Sequence, residues 1–318
     1  MPWRAVRAVC SAAALFWVLR VTPLQTIIAA LRQADWLYLL AGMILNLLTR
    51  FAAAERTRVI SRALGLFVSR WQTIETLFIS NFYALLSPGP VLSGVVSIYR
   101  YRNYGASITG SVGSLLASRV IELAAFIALG TACLLLDPRV ALDAVRYPLG
   151  LALAGVLAMA VGVACWWLLH KRWTWRLAEN RAARPAQGSV ISNLRAVWHE
   201  VMSRGPRMGW QAAIPAAAQV ILSGAAVSLL ARSVGIELSV VSAIWVSAAV
   251  YAVVLLPISI AGLGVREVML VKALGLLGVA PNLSVALSVL MFLDPVVNAV
   301  IGGVMQIRSN LCAARTHA

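Results

Sequence analysis

Apolar residues in this chain fall into long runs separated by short polar stretches. Six runs read as membrane-crossing helices: about Ala8 to Thr22, Trp36 to Ala54, Ile108 to Leu136, Tyr147 to Leu169, Trp210 to Leu230 and Leu283 to Ile307. A crossing takes about 20 apolar residues. Two further apolar stretches are interrupted. Thr73 to Ile98 carries Ser87-Pro88-Gly89-Pro90 in its middle, and Val240 to Leu277 is broken at Pro257 and again at Gly262 and Gly264. Proline removes an amide donor and obstructs the helix, so each stretch is expected to form two half-helices. The predicted fold class is an all-α polytopic membrane protein, with six full transmembrane helices plus two broken or re-entrant helix pairs. Residues 1–318 form one integral membrane domain.

Composition strengthens this reading. Of 318 residues, 61% are hydrophobic and 12% charged, whereas soluble domains are about 45–50% apolar and about 25% charged. Lys and Arg number 27 against 11 Asp and Glu, for a net charge of +16. In a soluble protein that excess would point to nucleic acid. Here it marks cytoplasmic loops that meet anionic lipid headgroups, and no nucleic-acid partner is expected. The segment carrying Arg56, Arg58, Arg62 and Arg70 is one such loop. The stretch 170–208, with Lys171, Arg172, Arg176 and Arg195 among its cations, is the other. The segments Asp137 to Arg146 and Arg232 to Glu237 are neutral and fit the outside. Both termini are then cytoplasmic. The run after Arg4 and Arg7 reads as a retained helix rather than a cleaved signal, because Arg20 interrupts its end and no polar domain follows.

The two breaks stand in corresponding places. A full helix precedes each, an arginine follows (Arg100 or Arg266), and a long helix closes the unit. By charge, the first opens from the inside and the second from the outside. Corresponding interrupted segments of opposite entry are expected of inverted-topology repeats that build a substrate site near the midplane. The half-repeats are 8–136 and 209–307, joined by helix 147–169 and the basic loop 170–208.

Catalytic chemistry leaves no signature. Cys10, Cys133, Cys165 and Cys312 lack metal-site spacing, and His170, His199 and His317 do not cluster, so neither a metal nor another cofactor is expected. No nucleotide-binding, hydrolase or zincin string occurs. The chain is not expected to be an enzyme.

The string Leu256-Pro257-Ile258-Ser259-Ile260-Ala261-Gly262-Leu263-Gly264-Val265-Arg266-Glu267 resembles a motif of the transmembrane region of lysylphosphatidylglycerol synthases. That flippase-like domain also occurs in stand-alone bacterial and archaeal membrane proteins. Ser87-Pro88-Gly89-Pro90 with Gly94 and Arg100 looks like the family's earlier element, and Arg119 with Glu122 resembles its basic and acidic pair on the next helix. The chain departs from the pattern at Val91-Leu92-Ser93-Gly94, where a run of glycines is usual, and at Asp294, where a basic residue is usual. The resemblance covers about residues 8 to 307 and implies movement of a lipid across the bacterial cytoplasmic membrane. The family's soluble aminoacyl-transferase domain is not in this sequence, so lysine transfer is not expected.

Ionisable groups inside crossing helices cost roughly 2.5–3.5 kcal/mol each on insertion scales, so each needs a partner or water. Arg119 and Glu122 are three apart and can pair on one face. Arg266, following Gly262 and Gly264 at a helix start, suits a phosphate, as does Arg100. The substrate-binding candidates are Ser87, Pro88, Gly89, Arg100, Arg119, Pro257, Ser259, Gly262, Gly264 and Arg266. Glu122, Glu267 and Asp294 are candidates for proton coupling. The expected substrate is a phospholipid or other polar-headgroup lipid. A secondary transporter of a small organic anion and a membrane enzyme acting on lipid headgroups are the alternatives. The sequence permits a homo-oligomer.

Overall fold

The computed structural model describes residue 32 and residues 34–85, 91–140, 206–254 and 265–315. Among them the named elements are all helices: α1 (Trp36–Ala63), α2 (Arg70–Leu85), α3 (Val91–Asn103), α4 (Ile108–Leu136), α5 (Pro206–Ser233), α6 (Val240–Val254), α7 (Val265–Gly275) and α8 (Pro281–Arg315). Four contain segments long and apolar enough to cross a membrane: Trp36–Ala63, Gly110–Leu136, Gly209–Ser233 and Pro281–Ser309. The other two expected crossings, 8–22 and 147–169, lie outside the described residues. So do Ser87, Pro88 and Gly89 of the first break and Pro257, Ser259, Gly262 and Gly264 of the second. The described residues resume after those segments at α3 and α7.

The helix starts follow from local chemistry. The Asp35 carboxylate caps α1 by accepting the Leu37 amide at 2.9 Å. Ser69 and Gln72 cap α2 reciprocally: the Ser69 amide donates to Gln72 Oε1 at 2.9 Å, and the Gln72 amide to Ser69 Oγ at 3.2 Å. This is the capping-box arrangement, which satisfies two otherwise unpaired donors. Ser107 Oγ caps α4 through the Gly110 amide at 3.1 Å.

The helix ends repeat. Gly65, Gly105, Gly235 and Gly278 follow α1, α3, α5 and α7 with φ of 76°, 85°, 79° and 77°. After α1, the Gly65 amide donates to Arg62 O and the Leu66 amide to Ser61 O. After α5, Gly235 donates to Arg232 O and Ile236 to Ala231 O. Gly105 and Ala106 after α3, and Gly278 and Val279 after α7, pair in the same way. This is a Schellman turn, whose left-handed residue is best supplied by glycine. Helices one to four and five to eight therefore share their order of long, short, short and long helices and both turns.

The first helices of the two sets pack antiparallel. Asp35 N donates to Ser233 O at 2.8 Å near one end, Gly42 packs on Ala226 and Leu230, and Arg56 meets Gln219 further along. Each closing helix packs on the short second helix of the other set. A Cβ on Gly130 of α4 would lie 2.4 Å from Ala248 Cβ of α6, and one on Gly302 of α8 would lie 2.0 Å from Phe78 O of α2. Glycine permits both approaches.

The expected end of the second apolar run moves. Ala54 was the boundary read from hydropathy, but α1 continues to Ala63 and buries Arg56 and Arg58 inside it. The helix continues because both cations are neutralised in place, Arg56 by Glu122 and Arg58 by Glu55.

Candidate functional site

A charged or amide side chain lies within one residue of the middle of each long helix or apolar span: Arg50 on α1, Glu122 on α4, Gln219 on α5 and Asp294 on α8. The middle of a crossing helix is where water is least available. The structure pairs these groups with one another.

One cluster joins α1, α4 and α5. Arg56 is almost fully enclosed and spends its whole guanidinium on neighbours. Nε donates to Ser118 Oγ at 3.1 Å, Nη1 donates to Gln219 Oε1, and Nη2 lies 3.0 Å from Glu122 Oε2. Gln219 Nε2 returns a hydrogen bond to Glu122 Oε1 at 2.7 Å. The amide is thus oriented, its oxygen on the cation and its nitrogen on the carboxylate. Arg119 Nη1 donates to Glu122 Oε2 at 3.0 Å. Below this cluster α1 and α4 are joined by hydroxyl pairs, Thr57 with Ser118 at 2.9 Å and Ser61 with Ser114 at 2.6 Å.

Two arginines thus share one carboxylate, leaving the triad with an excess positive charge. The arginines differ in exposure. The Arg119 side chain is 55% exposed, against 4% for Arg56 and 5% for Glu122. Tyr251 of α6 stands beside Arg119, its ring stacked on Phe126 at 4.3 Å between centroids. The Tyr251 hydroxyl is buried against Arg119.

A second cluster joins α1 to α8. Arg50 Nη2 pairs with Asp294 Oδ2 at 2.5 Å, and Asn298 Nδ2 donates to Asp294 Oδ1 at 2.7 Å and to its backbone carbonyl at 2.8 Å. Helix α8 continues through Pro295. The acidic residue that breaks the resemblance thus has its cation on α1.

Arg266, at the start of α7, is buried. Its Nε donates to Ser288 Oγ at 3.2 Å, Ser288 donates to Glu267 Oε1 at 2.9 Å, and Arg266 Nη2 lies 3.5 Å from that oxygen. The guanidinium also lies over the Phe292 ring, 5.4 Å from its centroid. The adjacent Arg266 and Glu267 side chains meet through a hydroxyl of α8, although successive helical residues diverge by about 100°. Arg100 is spoken for as well, pairing with Glu75 Oε1 at 2.8 Å and donating to Tyr104 Oη at 2.7 Å.

Of the sequence-predicted residues, Arg119 and Glu122 meet in the first cluster and Asp294 anchors the second. Arg266 with Glu267, and Arg100 on α3, stand in separate ion pairs. The sequence places Arg56 in a cytoplasmic loop and Arg50 near the end of the preceding apolar run, and gives neither a role at the site. Gln219 went unremarked, although a glutamine between Ala218 and Val220 in the middle of an apolar run is itself a signal. Glu75 and Tyr251 carried none. Among the described residues, no group of three His, Cys, Asp or Glu side chains is placed to hold a metal ion.

No curated protein matches the chain. Residues 4–302, nearly the whole sequence, match the family described as the lysylphosphatidylglycerol synthase TM region. With its membrane-length apolar helices and the buried charges between them, the chain belongs to the lysylphosphatidylglycerol synthase transmembrane-region family.

Proposed function

We propose that this protein is a lipid carrier, moving a phospholipid or other polar-headgroup lipid across the bacterial cytoplasmic membrane without chemically altering it. The observation that carries the proposal is the belt of buried and half-buried charges at mid-helix, one of whose arginines is half open. Charge at that depth is costly unless it is paired or lines a polar route, and a paired belt with one arginine half open supports the second. Family membership supports the reading, since the chain is related to flippase-like and lipid-modifying membrane proteins.

The route is formed by two inverted-topology repeats, α1–α4 and α5–α8, narrower than the halves read from hydropathy. Supporting this are the antiparallel packing of α1 on α5, the matched Schellman turns and the exchanged α4–α6 and α8–α2 contacts. The α2–α3 and α6–α7 pairs are re-entrant, each returning to the end it left. Tyr101 near the end of α3 shares an apolar cluster with Leu66 and Val68 before α2, and Leu274 near the end of α7 shares one with Ile236 and Leu238 before α6. The α1 C-terminal end, with Arg62, Arg70, Arg100 and Arg102 near it, is cytoplasmic.

The test is reconstitution of the full chain in liposomes with headgroup-varied fluorescent lipids, following exposure of inner-leaflet label to an impermeant quencher. At least one lipid should become exposed faster than in protein-free liposomes, its headgroup unchanged. Transport of a small organic anion with no lipid movement, or a modified headgroup, would overturn the proposal.

A further inference from the structure

We propose that Asp294 is a proton-binding site, and that a proton taken up there unlatches α1 from α8 by releasing Arg50. The inference rests on the carrier reading only for what the proton drives, the movement of the lipid.

The charges around Asp294 come from several helices. It is the only ionisable side chain of α8 before Arg308. From α1 comes Arg50, with Nη2 at 2.5 Å from Asp294 Oδ2. From α7 comes Arg266, within electrostatic reach of Asp294, with Glu267 joined to it through Ser288. On α2 the one ionisable group beyond Phe78, where Gly302 packs, is Tyr83, and α5 has none between Arg207 and Arg232. Glu122 of α4 is also within electrostatic reach of Arg50. Signs therefore alternate along Glu267, Arg266, Asp294, Arg50 and Glu122. Arg50 is the cation between two carboxylates on different helices.

Their partners separate the three acids. Glu122 is held by Arg56, Arg119 and Gln219 together and is almost fully enclosed, so a proton there would strand two guanidiniums. Glu267 pairs with the arginine beside it on its own helix. Asp294 has its ion-pair partner on another helix, and the two side chains are 14% and 27% exposed. Charges at mid-helix face the protein interior or water rather than lipid, so that opening is a path for a proton.

A second observation concerns Asn298, which is 1% exposed. Its Nδ2 donates to Asp294 Oδ1 at 2.7 Å, while its own Oδ1 is buried without a hydrogen bond. A buried acceptor left unpaired is costly. An amide donates to a carboxylate as it stands, and turned over it accepts from a carboxylic acid. Asn298 thus offers Asp294 a partner in both protonation states.

The step balances simply. A proton from water on one side bonds to an Asp294 carboxylate oxygen, and no other covalent bond forms or breaks. Arg50 never loses its charge, and its remaining anion is Glu122. The α1–α8 ion pair opens, and departure of the proton to the other side closes it.

The experiment uses the full chain in liposomes, isotope-labelled at its aspartate carboxyls. Infrared difference spectra on acidification should show a labelled carboxylic-acid band that is missing in D294N. In D294E the band should return at the unlabelled position, a comparison that holds even if D294N fails to fold. Other aspartates, Asp137 among them, contribute alike to all three proteins. A pH gradient of one unit, with the membrane potential clamped, should then bias fluorescent phosphatidylglycerol, phosphatidylethanolamine or phosphatidylcholine between leaflets by up to about tenfold for one proton per lipid. D294E should keep that bias and D294N lose it. Absence of an Asp294-dependent band, or lipid movement that ignores the gradient, overturns the proposal. If the band follows Asp294 but no lipid moves, the proton site stands and the lipid-carrier reading falls.

Discussion

The two mid-helix ion pairs can be set side by side. Glu122 lies eight residues before Gly130 and Asp294 eight residues before Gly302, and each glycine is where its helix packs closely on the other half. Both carboxylates take an arginine from the same helix, α1. Their surroundings differ. Arg56 and Glu122 are sealed, bridged by Gln219 and joined by a second cation, whereas the Arg50 side chain is 27% exposed and one carboxylate answers one guanidinium. Arg50 Nε and Asn298 Oδ1 are buried without hydrogen bonds. One frame thus holds a saturated site with a surplus charge and a balanced, looser one.

The comparison breaks most readily at Arg56. Arg56→Met should destabilise the protein by about 3–5 kcal/mol, the range for removing one partner of a buried pair, read as a loss of thermal stability in detergent. If it costs no more than the corresponding Arg50 variant, the distinction between sealed and loose sites fails.

Arg50→Met should cost less, about 1.5–3 kcal/mol, because the partly exposed Asp294 keeps its Asn298 hydrogen bond and loses one charged one. A double-mutant cycle with Asp294→Asn should show coupling smaller than that of Arg56 with Glu122→Gln.

The glycine contacts test the frame shared by both sites. Gly302→Ala would place a methyl against a backbone carbonyl of α2, an overpacking that typically costs about 1–3 kcal/mol. At Gly303 the added Cβ would meet only the edge of the Phe82 ring, 3.4 Å away. Gly303→Ala should therefore be near neutral, and equal losses at both positions would refute the close approach of α8 to α2.

The smallest effect is expected at Asp137, a buried carboxylate just beyond the span of α4. It accepts hydrogen bonds from Ser242 Oγ at 2.5 Å and Trp245 Nε1 at 2.9 Å, tying α4 to α6. Burial pushes this carboxyl up, but the hydrogen bonds from Ser242, Trp245 and the Arg139 amide, with the Arg139 charge, outweigh it and hold it below the usual carboxylate range. A depressed carboxyl contributes stability that is complete above its unfolded value of about 3.9 and is lost as pH falls through the folded one. Asp137→Asn should remove that acid-sensitive part and leave the mid-helix pairs untouched. Unchanged acid sensitivity of Tm would show that other carboxylates carry it.

The amino-acid sequence by itself determined that this is a helical membrane protein and, apart from the far end of α1, where its four described crossings run. These depend on local quantities: run length, proline, glycine and hydropathy. It also marked Arg119 with Glu122, and Asp294, because a charge inside an apolar run stands out against its neighbours. Only the tertiary structure decided which charges are sealed and which are open. Arg56 reads as a cation of a cytoplasmic loop until α4 and α5 bring Glu122, Ser118 and Gln219 to it from 66, 62 and 163 residues away. Asp294 read as a departure from the family pattern until α1 supplied Arg50. Pairing energy depends on distance and burial, and neither is a property of sequence position. The surplus charge at Arg119 is likewise visible only once the partners of Glu122 can be counted.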